Sequence, residues 1–339
     1  MVDRLQFWRF LHTQPSVWAP LSVLLLAALS FEPTTAWAQD AADPPVKKVA
    51  GGAAKGEDGE KKELPEPEVL DLDTKDGLQL KATYYPGNDD KKTVPIVIIH
   101  DFEGNRNEYH PLALTLQAEG HAVIVPDLRG HGESTTFKSD PGVDKVREIK
   151  AKSMKRNDFD TILGTYGDLQ AIRRFLLNKN NEGELNINRL CVVGVGMGAT
   201  LGLNWTAADW AYPPLAGKKQ GQDVHALVVV SPVWSFKGML IAEALKQASI
   251  QREVALLIAV GSTPKAKKDA DRIFKSLEKF RPEPPADQVQ AKKTLFLREV
   301  DAALEGAKLL NEKNSKLDKT LITFIKWRLV DQDFPWSER

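Results

Sequence analysis

The chain has 339 residues, of which 42% are hydrophobic and 27% are charged. These fractions are typical of a globular protein and exclude a collagen-like or a wholly disordered chain. Lysine plus arginine and aspartate plus glutamate each number 46, so no excess of positive charge favours nucleic acid as a partner.

The first 38 residues have the three-part layout of a secretory signal peptide. Arg4 and Arg9 give a basic start, an apolar run extends over Leu21–Phe31, and Ala36-Trp37-Ala38 forms a small-x-small cleavage site. The apolar run is about half as long as the ~20 residues that a membrane-spanning helix needs. We therefore expect export to the periplasm or the cell exterior, with membrane contact only if the signal remains uncleaved.

Residues 39–66 are dominated by Pro, Gly, Ala, Lys and Glu and show no hydrophobic periodicity. Such a composition buries too little apolar surface to offset the entropy of ordering the chain, so we predict a disordered linker. A folded domain is expected over residues 67–330, followed by a tail over 331–339. The single cysteine, Cys191, lies in an apolar run and is expected to be a buried, inert thiol.

Within the folded part, two alternating runs flank Lys75-Asp76-Gly77 and predict a β-hairpin. Apolar runs without alternation then alternate with amphipathic segments, which is typical of strands buried on both faces of a helix-covered sheet. The predicted strands are 94–100, 121–127, 189–196, 225–232, 253–261 and 292–299, and the predicted helices are 108–119, 166–179, 197–209, 236–249, 265–280 and 304–328. The polar stretch 137–165 is expected to be a surface excursion. This order predicts one doubly wound α/β domain with a mostly parallel sheet.

Three motifs occur in a diagnostic order. His100-Asp101-Phe102-Glu103-Gly104 follows the predicted strand 94–100, Asp127–Ser134 (DLRGHGES) follows the next strand, and Gly194-Val195-Gly196-Met197-Gly198 lies between a strand and a helix. They resemble the H-G-x-x-G, D-x-R-G-H-G-x-S and G-x-S-x-G motifs of the α/β-hydrolase superfamily, as in its esterase, lipase and serine-aminopeptidase members. The resemblance covers about residues 68–330 and implies the α/β-hydrolase fold.

The sequence departs from this pattern at each position of the catalytic triad. Gly196 stands at the elbow position of the nucleophilic serine, where a strained backbone is needed that glycine adopts easily. The segment that resembles the family's acid loop ends at Pro264 and has no carboxylate before Asp269. Glu305 stands in the place of the catalytic histidine, and no histidine follows His225.

A serine hydrolase needs a nucleophile, a base that takes its proton and a carboxylate that orients the base. We therefore expect an inactive member of the superfamily, a pseudohydrolase that binds a small acyl-type ligand or a protein of the cell envelope. The backbone N–H groups of Phe102 and Met197 are expected to form an oxyanion-type nest at a helix N-terminus.

Two alternatives remain open. The first is a divergent esterase-like or peptidase-like hydrolase with relocated residues, for which the candidate nucleophiles are Ser134, Ser231 and Ser262 and the candidate bases are His100, His131 and His225. The second is dinucleotide binding through Gly194–Ala199, which matches G-x-G-x-x-A, although no acid follows at the expected distance. No cofactor is expected otherwise, and no metal, because the six histidines are scattered in sequence.

Overall fold

A twisted sheet flanked by helices forms the centre of the computed structural model, which describes residues 64–138, 146–213, 215–217 and 219–339. The strands are β1 (Glu68–Asp73), β2 (Gln79–Tyr85), β3 (Pro95–Ile99), β4 (Ala122–Pro126), β5 (Leu190–Val195), β6 (Val224–Val230), β7 (Ser235–Phe236), β8 (Met239–Leu240), β9 (Ala255–Val260) and β10 (Leu295–Glu299). Over these residues the main sheet has the order β1-β2-β4-β3-β5-β6-β9-β10, and β7 pairs only with β8. The signal peptide expected over residues 1–38 and most of the expected linker lie outside the described residues.

The sheet is antiparallel at one edge and parallel elsewhere. Strand β2 runs antiparallel to both β1 and β4, whereas β3, β4, β5, β6, β9 and β10 pair in parallel. Every residue of β3, β4, β5 and β9 is buried, which explains why these strands are continuous apolar runs. The prediction of a doubly wound, mostly parallel α/β fold is confirmed.

Helices cover both faces of the sheet. They are α1 (His110–Ala118), α2 (Arg156–Leu163), α3 (Asp168–Asn181), α4 (Met197–Trp210), α5 (Pro264–Glu278), α6 (Val289–Lys292), α7 (Gly306–Asn311) and α8 (Leu317–Ile325). Side chains alternate between two cores: Val97 and Ile99 of β3 belong to the core with α4, and Ile96 and Ile98 belong to the core with α1 and α8. No helix among the described residues is both long enough and apolar enough to span a bilayer.

Three sequence-based assignments of helices need correction. Residues 236–249 form no α-helix, because Lys237 (φ 42°) and Gly238 (φ 84°) take left-handed conformations that turn β7 back onto β8. The segment 304–328 is divided into α7 and α8, with Lys316 (φ 52°) at the start of the second helix. Helix α2 lies within the expected polar excursion and buries Phe159 there; residues 139–145 of that excursion lie outside the described residues.

Two glycines of the Gly194–Gly198 motif allow close packing between β5, α4 and β3. A Cβ atom on Gly194 would overlap the carbonyl oxygen of Gly198 and lie 2.7 Å from Cα of Ala199. A Cβ atom on Gly198 would overlap the carbonyl oxygen of Ile99. These contacts explain both glycines without a bound dinucleotide.

We expect Gly194→Ala to lower the free energy of unfolding by about 2–3 kcal/mol, since backbone of α4 must move to admit the methyl group. Gly202→Ala is the matched control, because its Cβ would meet only side chains, the nearest being Cγ1 of Val192 at 3.2 Å. The control should change stability by less than about 1 kcal/mol, as helix propensity favours alanine. Urea denaturation followed by circular dichroism measures both values, and equal effects would contradict the packing argument.

Candidate functional site: the degenerate nucleophile elbow

The turn from β5 into α4 keeps the backbone shape of a nucleophile elbow although it lacks a nucleophile. Gly196 has φ 53° and ψ −112°, a conformation that glycine adopts at low cost. Its N–H donates to the carbonyl oxygen of Val230 at 2.9 Å, which ties the turn to the end of β6. The turn therefore presents the first amides of α4 toward the carboxyl edge of the sheet, where sites of this fold class open.

The carboxylate of Asp101 fills the space in front of this turn. A Cβ atom on Gly196 would overlap Cγ and both carboxylate oxygens of Asp101. Oδ1 of Asp101 accepts hydrogen bonds from the N–H of Phe102 at 2.7 Å and from the N–H of Met197 at 2.8 Å. The two amides expected to form an oxyanion-type nest thus converge, and they bind an oxygen of the chain's own side chain.

Asp101 replaces the glycine of the H-G-x-x-G pattern, and sequence reasoning missed it. Burial raises the pKa of Asp101 above its ordinary value, the two amide hydrogen bonds oppose this effect, and the nearby Glu305 carboxylate adds to it. The amides of Phe102 and Met197 supply charge-assisted hydrogen bonds, and the N-terminal end of α4 favours negative charge. The mismatch with the expected glycine was the signal available in the sequence.

The loops that hold Pro264 and Glu305, the positions that correspond to the family's acid and histidine, meet through Thr263 and without a histidine–carboxylate pair. The hydroxyl of Thr263 donates to the carboxylate of Glu305, while Pro264 is the first residue of α5 and contributes no polar group. Gly306, the next residue, approaches the site: its Cβ would lie 3.6 Å from Oδ2 of Asp101. A hydroxyl–carboxylate pair does not relay a proton from a nucleophile as an imidazole does. Thr263 was not among the residues expected from the sequence.

His100, a candidate base, has both ring nitrogens in use. Nδ1 bonds to the main-chain oxygen of Asp101 at 2.6 Å, and Nε2 accepts a hydrogen bond from the N–H of Leu128 at 2.9 Å. Burial lowers the pKa of His100 to about 4. The neutral ring fastens the loop after β4 to the loop after β3 and has no nitrogen left for catalysis.

His131 lies beside the site, but among the described residues no nucleophilic hydroxyl or thiol is hydrogen-bonded to its ring. Its Nδ1 is 2.9 Å from the carbonyl oxygen of Arg129, and burial lowers its pKa. Its Nε2 is buried without a hydrogen-bond partner among the described residues. The ring stands edge-on to Phe102, with centroids 5.6 Å apart. In the described ranges no serine hydroxyl is hydrogen-bonded to a histidine ring.

The three candidate serines lie in different parts of the fold, and none is hydrogen-bonded to a histidine ring among the described residues. Ser134 is fully buried and its Oγ accepts from the N–H of Lys81 in β2. Ser231 follows β6, and its Oγ accepts from the N–H of Gly306 at 2.9 Å, so its role there is to fix the start of α7. Ser262 is exposed and hydrogen-bonded through its main chain only. The proposed relocated serine centre is therefore not supported by any serine–histidine pair.

Two further candidates have structural roles. His225 stacks against Phe334, with ring centroids 4.3 Å apart, and burial lowers its pKa to about 4. The N–H of Met197, which a dinucleotide phosphate would use at Gly194–Ala199, is held by Asp101. Within the described residues, no group of three or more His, Cys, Asp or Glu side chains is placed to hold a metal ion.

Comparison with known proteins agrees with the fold described above. A model of the α/β hydrolase fold family matches residues 94–317, which is more than half of the chain. No curated protein matches the chain in sequence.

Several solved structures share the architecture at low sequence identity. An esterase from Pyrococcus furiosus is 15% identical with a TM-score of 0.54, and the match covers 78% of this chain and 91% of that one. One of two fungal esterases from Rhizomucor miehei is 11% identical with a TM-score of 0.52, over 80% of this chain and 87% of that one. An acylaminoacyl peptidase from Pyrococcus horikoshii is 12% identical with a TM-score of 0.53, over 82% of this chain and 44% of that one. At these identities the similarity establishes the fold alone.

We expect Gly196→Ser to destabilise the protein by about 2 kcal/mol or more, because a side chain at positive φ is strained and its Cβ collides with Asp101. In the double variant Gly196→Ser/Asp101→Gly the collision disappears, so the two changes should couple by about 1–3 kcal/mol. Denaturation of the single and double variants completes the thermodynamic cycle.

Gly77→Ser is the matched control, since Gly77 has φ 89° and its Cβ would meet nothing within 4 Å. It isolates the cost of the backbone conformation. If Gly196→Ser costs no more than this control, or if Asp101→Gly brings no relief, the carboxylate does not occupy the elbow in solution.

Proposed function

Because the chain belongs to the α/β-hydrolase family and holds a carboxylate in the space of that family's nucleophile, we propose that it is a pseudohydrolase. The proposal rests on the position of Asp101. Its Oδ1 accepts hydrogen bonds from the N–H groups of Phe102 and Met197, which were expected to bind an oxyanion. The three degenerate positions, Gly196, Pro264 and Glu305, supply neither a nucleophile nor an imidazole base, and the hydroxyl beside Pro264, that of Thr263, is bonded to Glu305.

The filled nest also removes the activity that often survives the loss of a triad. Oxyanion donors and binding alone still give a rate roughly a thousandfold to ten-thousandfold above that in water. A substrate carbonyl would have to displace Oδ1 of Asp101 from the amides of Phe102 and Met197, and the carbonyl is neutral whereas the carboxylate forms charge-assisted hydrogen bonds. We therefore expect no residual hydrolysis from this route.

The hydrogen bonds to Asp101 also help to choose between a small ligand and a protein as the binding partner. A small acyl-type ligand would use the amides of Phe102 and Met197, which are already bonded. We therefore favour a protein partner, and we propose that this partner belongs to the cell envelope because the N-terminal residues have the layout of a secretory signal.

We expect purified protein to give no labelling with a fluorophosphonate probe and no turnover of short p-nitrophenyl esters. The matched comparison is the variant Asp101→Gly/Gly196→Ser/Thr263→Asp/Glu305→His, which frees the amides and supplies residue types of a triad at the positions that the fold brings together. Labelling at position 196 of this variant would show that the probe reaches the elbow.

Labelling of the wild-type chain at Ser134, Ser231 or Ser262, abolished when that serine becomes alanine, would establish a relocated hydrolase instead. Ester turnover that is lost in Asp101→Asn would likewise overturn the proposal, because the carboxylate itself would then take part in hydrolysis.

Export is tested by N-terminal sequencing of the protein recovered from expressing cells. Removal of the signal peptide after Ala38 predicts a mature chain that begins at Gln39. An intact Met1 in the membrane fraction would indicate an uncleaved anchor. An intact Met1 in the soluble cytosolic fraction would show that the segment is not an export signal.

A further inference from the structure

The segment Phe334–Arg339 lies in a groove at the amino edge of the sheet, formed by the end of α3, the residues that precede β5 and the residues that precede β6. Its main chain is bound by side-chain amides instead of by a neighbouring strand. The Nδ2 groups of four asparagines donate to it: Asn180 to Ser337 O (3.0 Å), Asn181 to Arg339 O (2.9 Å), Asn186 to Phe334 O (2.8 Å) and Asn188 to Pro335 O (2.8 Å). This is how a protein holds an extended peptide ligand.

Three side chains of the segment enter the groove. Phe334 stacks on His225, and Trp336 has the ammonium of Lys91 3.8 Å from its ring centroid. The indole N–H of Trp336 donates to the carbonyl oxygen of Asn180 at 3.2 Å. Between these anchors Pro335, Ser337 and Glu338 are exposed, so the segment alternates between inward and outward residues as a surface-bound peptide does.

The third anchor, Arg339, places its guanidinium group in a buried pocket that accepts hydrogen bonds from Nη1 and Nε, whereas Nη2 has no hydrogen-bond partner among the described residues. Its Nη1 donates to Oδ1 of Asp223 at 2.7 Å and to Oδ1 of Asn188 at 3.2 Å, and its Nε donates to the carbonyl oxygen of Lys219 at 3.1 Å. The side chain of Asp223 is fully buried and that of Arg339 is 4% exposed. A buried carboxylate is stable only when it is paired, so this pocket selects a planar cation that reaches all three oxygens.

Arg173 completes the pocket from the other side. It donates from Nη2 to Oδ2 of Asp223 at 2.5 Å, which leaves Oδ1 for the arginine of the segment. Lys219 lies 3.7 Å from Oδ1 of Asp223 and donates to Asn188, and therefore orients that asparagine oxygen toward Arg339. The pocket is thus held in place by residues outside the segment.

We propose that this groove is a peptide-recognition site for a Phe-Pro-Trp-x-x-Arg segment, and that the segment of a second copy of the chain is its partner. The anchoring contacts of the segment are all with the body of the domain, so the same contacts are available to a segment from another molecule. Within one molecule the segment has a millimolar effective concentration, which favours the intramolecular arrangement until the chain's own segment is removed from competition.

The first experiment uses a full-length variant in which the anchors are removed, Phe334→Ala/Trp336→Ala/Arg339→Ala, here called the tail variant. A fluorescent peptide with the sequence of residues 333–339 should bind to it, and binding should weaken at least tenfold when the peptide carries alanine in place of Arg339. Binding to the wild-type chain should be at least tenfold weaker, because its groove is already filled. Circular dichroism and thermal melting verify that the tail variant is folded.

The second experiment mixes the tail variant with Asp223→Asn, which keeps its tail but loses the charge that binds Arg339. The mixture should form a heterodimer in analytical ultracentrifugation, since one chain offers an empty groove with Asp223 intact and the other offers a segment that its own groove holds less tightly. Each variant alone should remain a monomer at the same concentration.

Failure of the folded tail variant to bind the peptide overturns the recognition site. Equal binding of the peptides with and without arginine overturns the role of the Asp223 pocket. Peptide binding without a heterodimer overturns the assignment of a second copy as the partner. None of these outcomes depends on hydrolysis, so they are distinguishable from a failure of the proposed pseudohydrolase function.

Discussion

The organisation of the elbow depends on one oxygen of Asp101, which accepts hydrogen bonds from two backbone N–H groups. Oδ1 joins the amide of Phe102, in the loop after β3, to the amide of Met197, at the start of α4. Without an acceptor, both N–H groups would point into a partly buried space, where an unpaired donor costs about 1–3 kcal/mol. The carboxylate therefore replaces the substrate oxygen that an active member of the fold would bind there.

The two departures from the family pattern are sterically complementary. Glycine at position 196 makes room for the carboxylate, and the carboxylate at position 101 fills the space that the missing side chain leaves. Reversal of either change alone would destabilise the site. A serine at 196 would collide with Asp101, and a glycine at 101 would leave the amides of Phe102 and Met197 without an acceptor. This reciprocity supports the proposal of a non-catalytic site, because each substitution removes the cost of the other.

Much of the fold followed from the sequence, since short apolar runs that alternate with amphipathic segments are typical of strands buried on both faces of a helix-covered sheet. The predicted strand 94–100 matches β3, and the predicted helix 197–209 matches α4 within one residue at its end. The predicted helix 236–249 was wrong because local propensity does not reveal the left-handed Lys237 and Gly238. The site was harder: the substitution at Asp101 was visible in the H-G-x-x-G comparison, but the direction of its carboxylate depends on the backbone of Gly196, far away in sequence. The pairing of Thr263 with Glu305 likewise depends on two loops that meet only in the folded chain.

The carboxyl edge and the amino edge of the parallel sheet differ in what occupies them. Enzymes with such sheets place their chemistry at the carboxyl edge, where loops leave the strands. Here that edge, after Val195 of β5, is closed by the Asp101 carboxylate. Asn188 and Asp223 precede β5 and β6, so the tail groove lies at the amino edge, about 20 Å away along a strand of six residues.

The buried strands β3 and β5 lie between the two edges, and the groups described at one edge make no hydrogen bond to those described at the other. The core that supports them uses apolar side chains of the strands and helices and none of the degenerate triad positions. The loss of catalysis proposed for the carboxyl edge would therefore leave the scaffold intact. Under the two proposals, that separation would allow an α/β-hydrolase fold to carry the recognition groove without a working catalytic site.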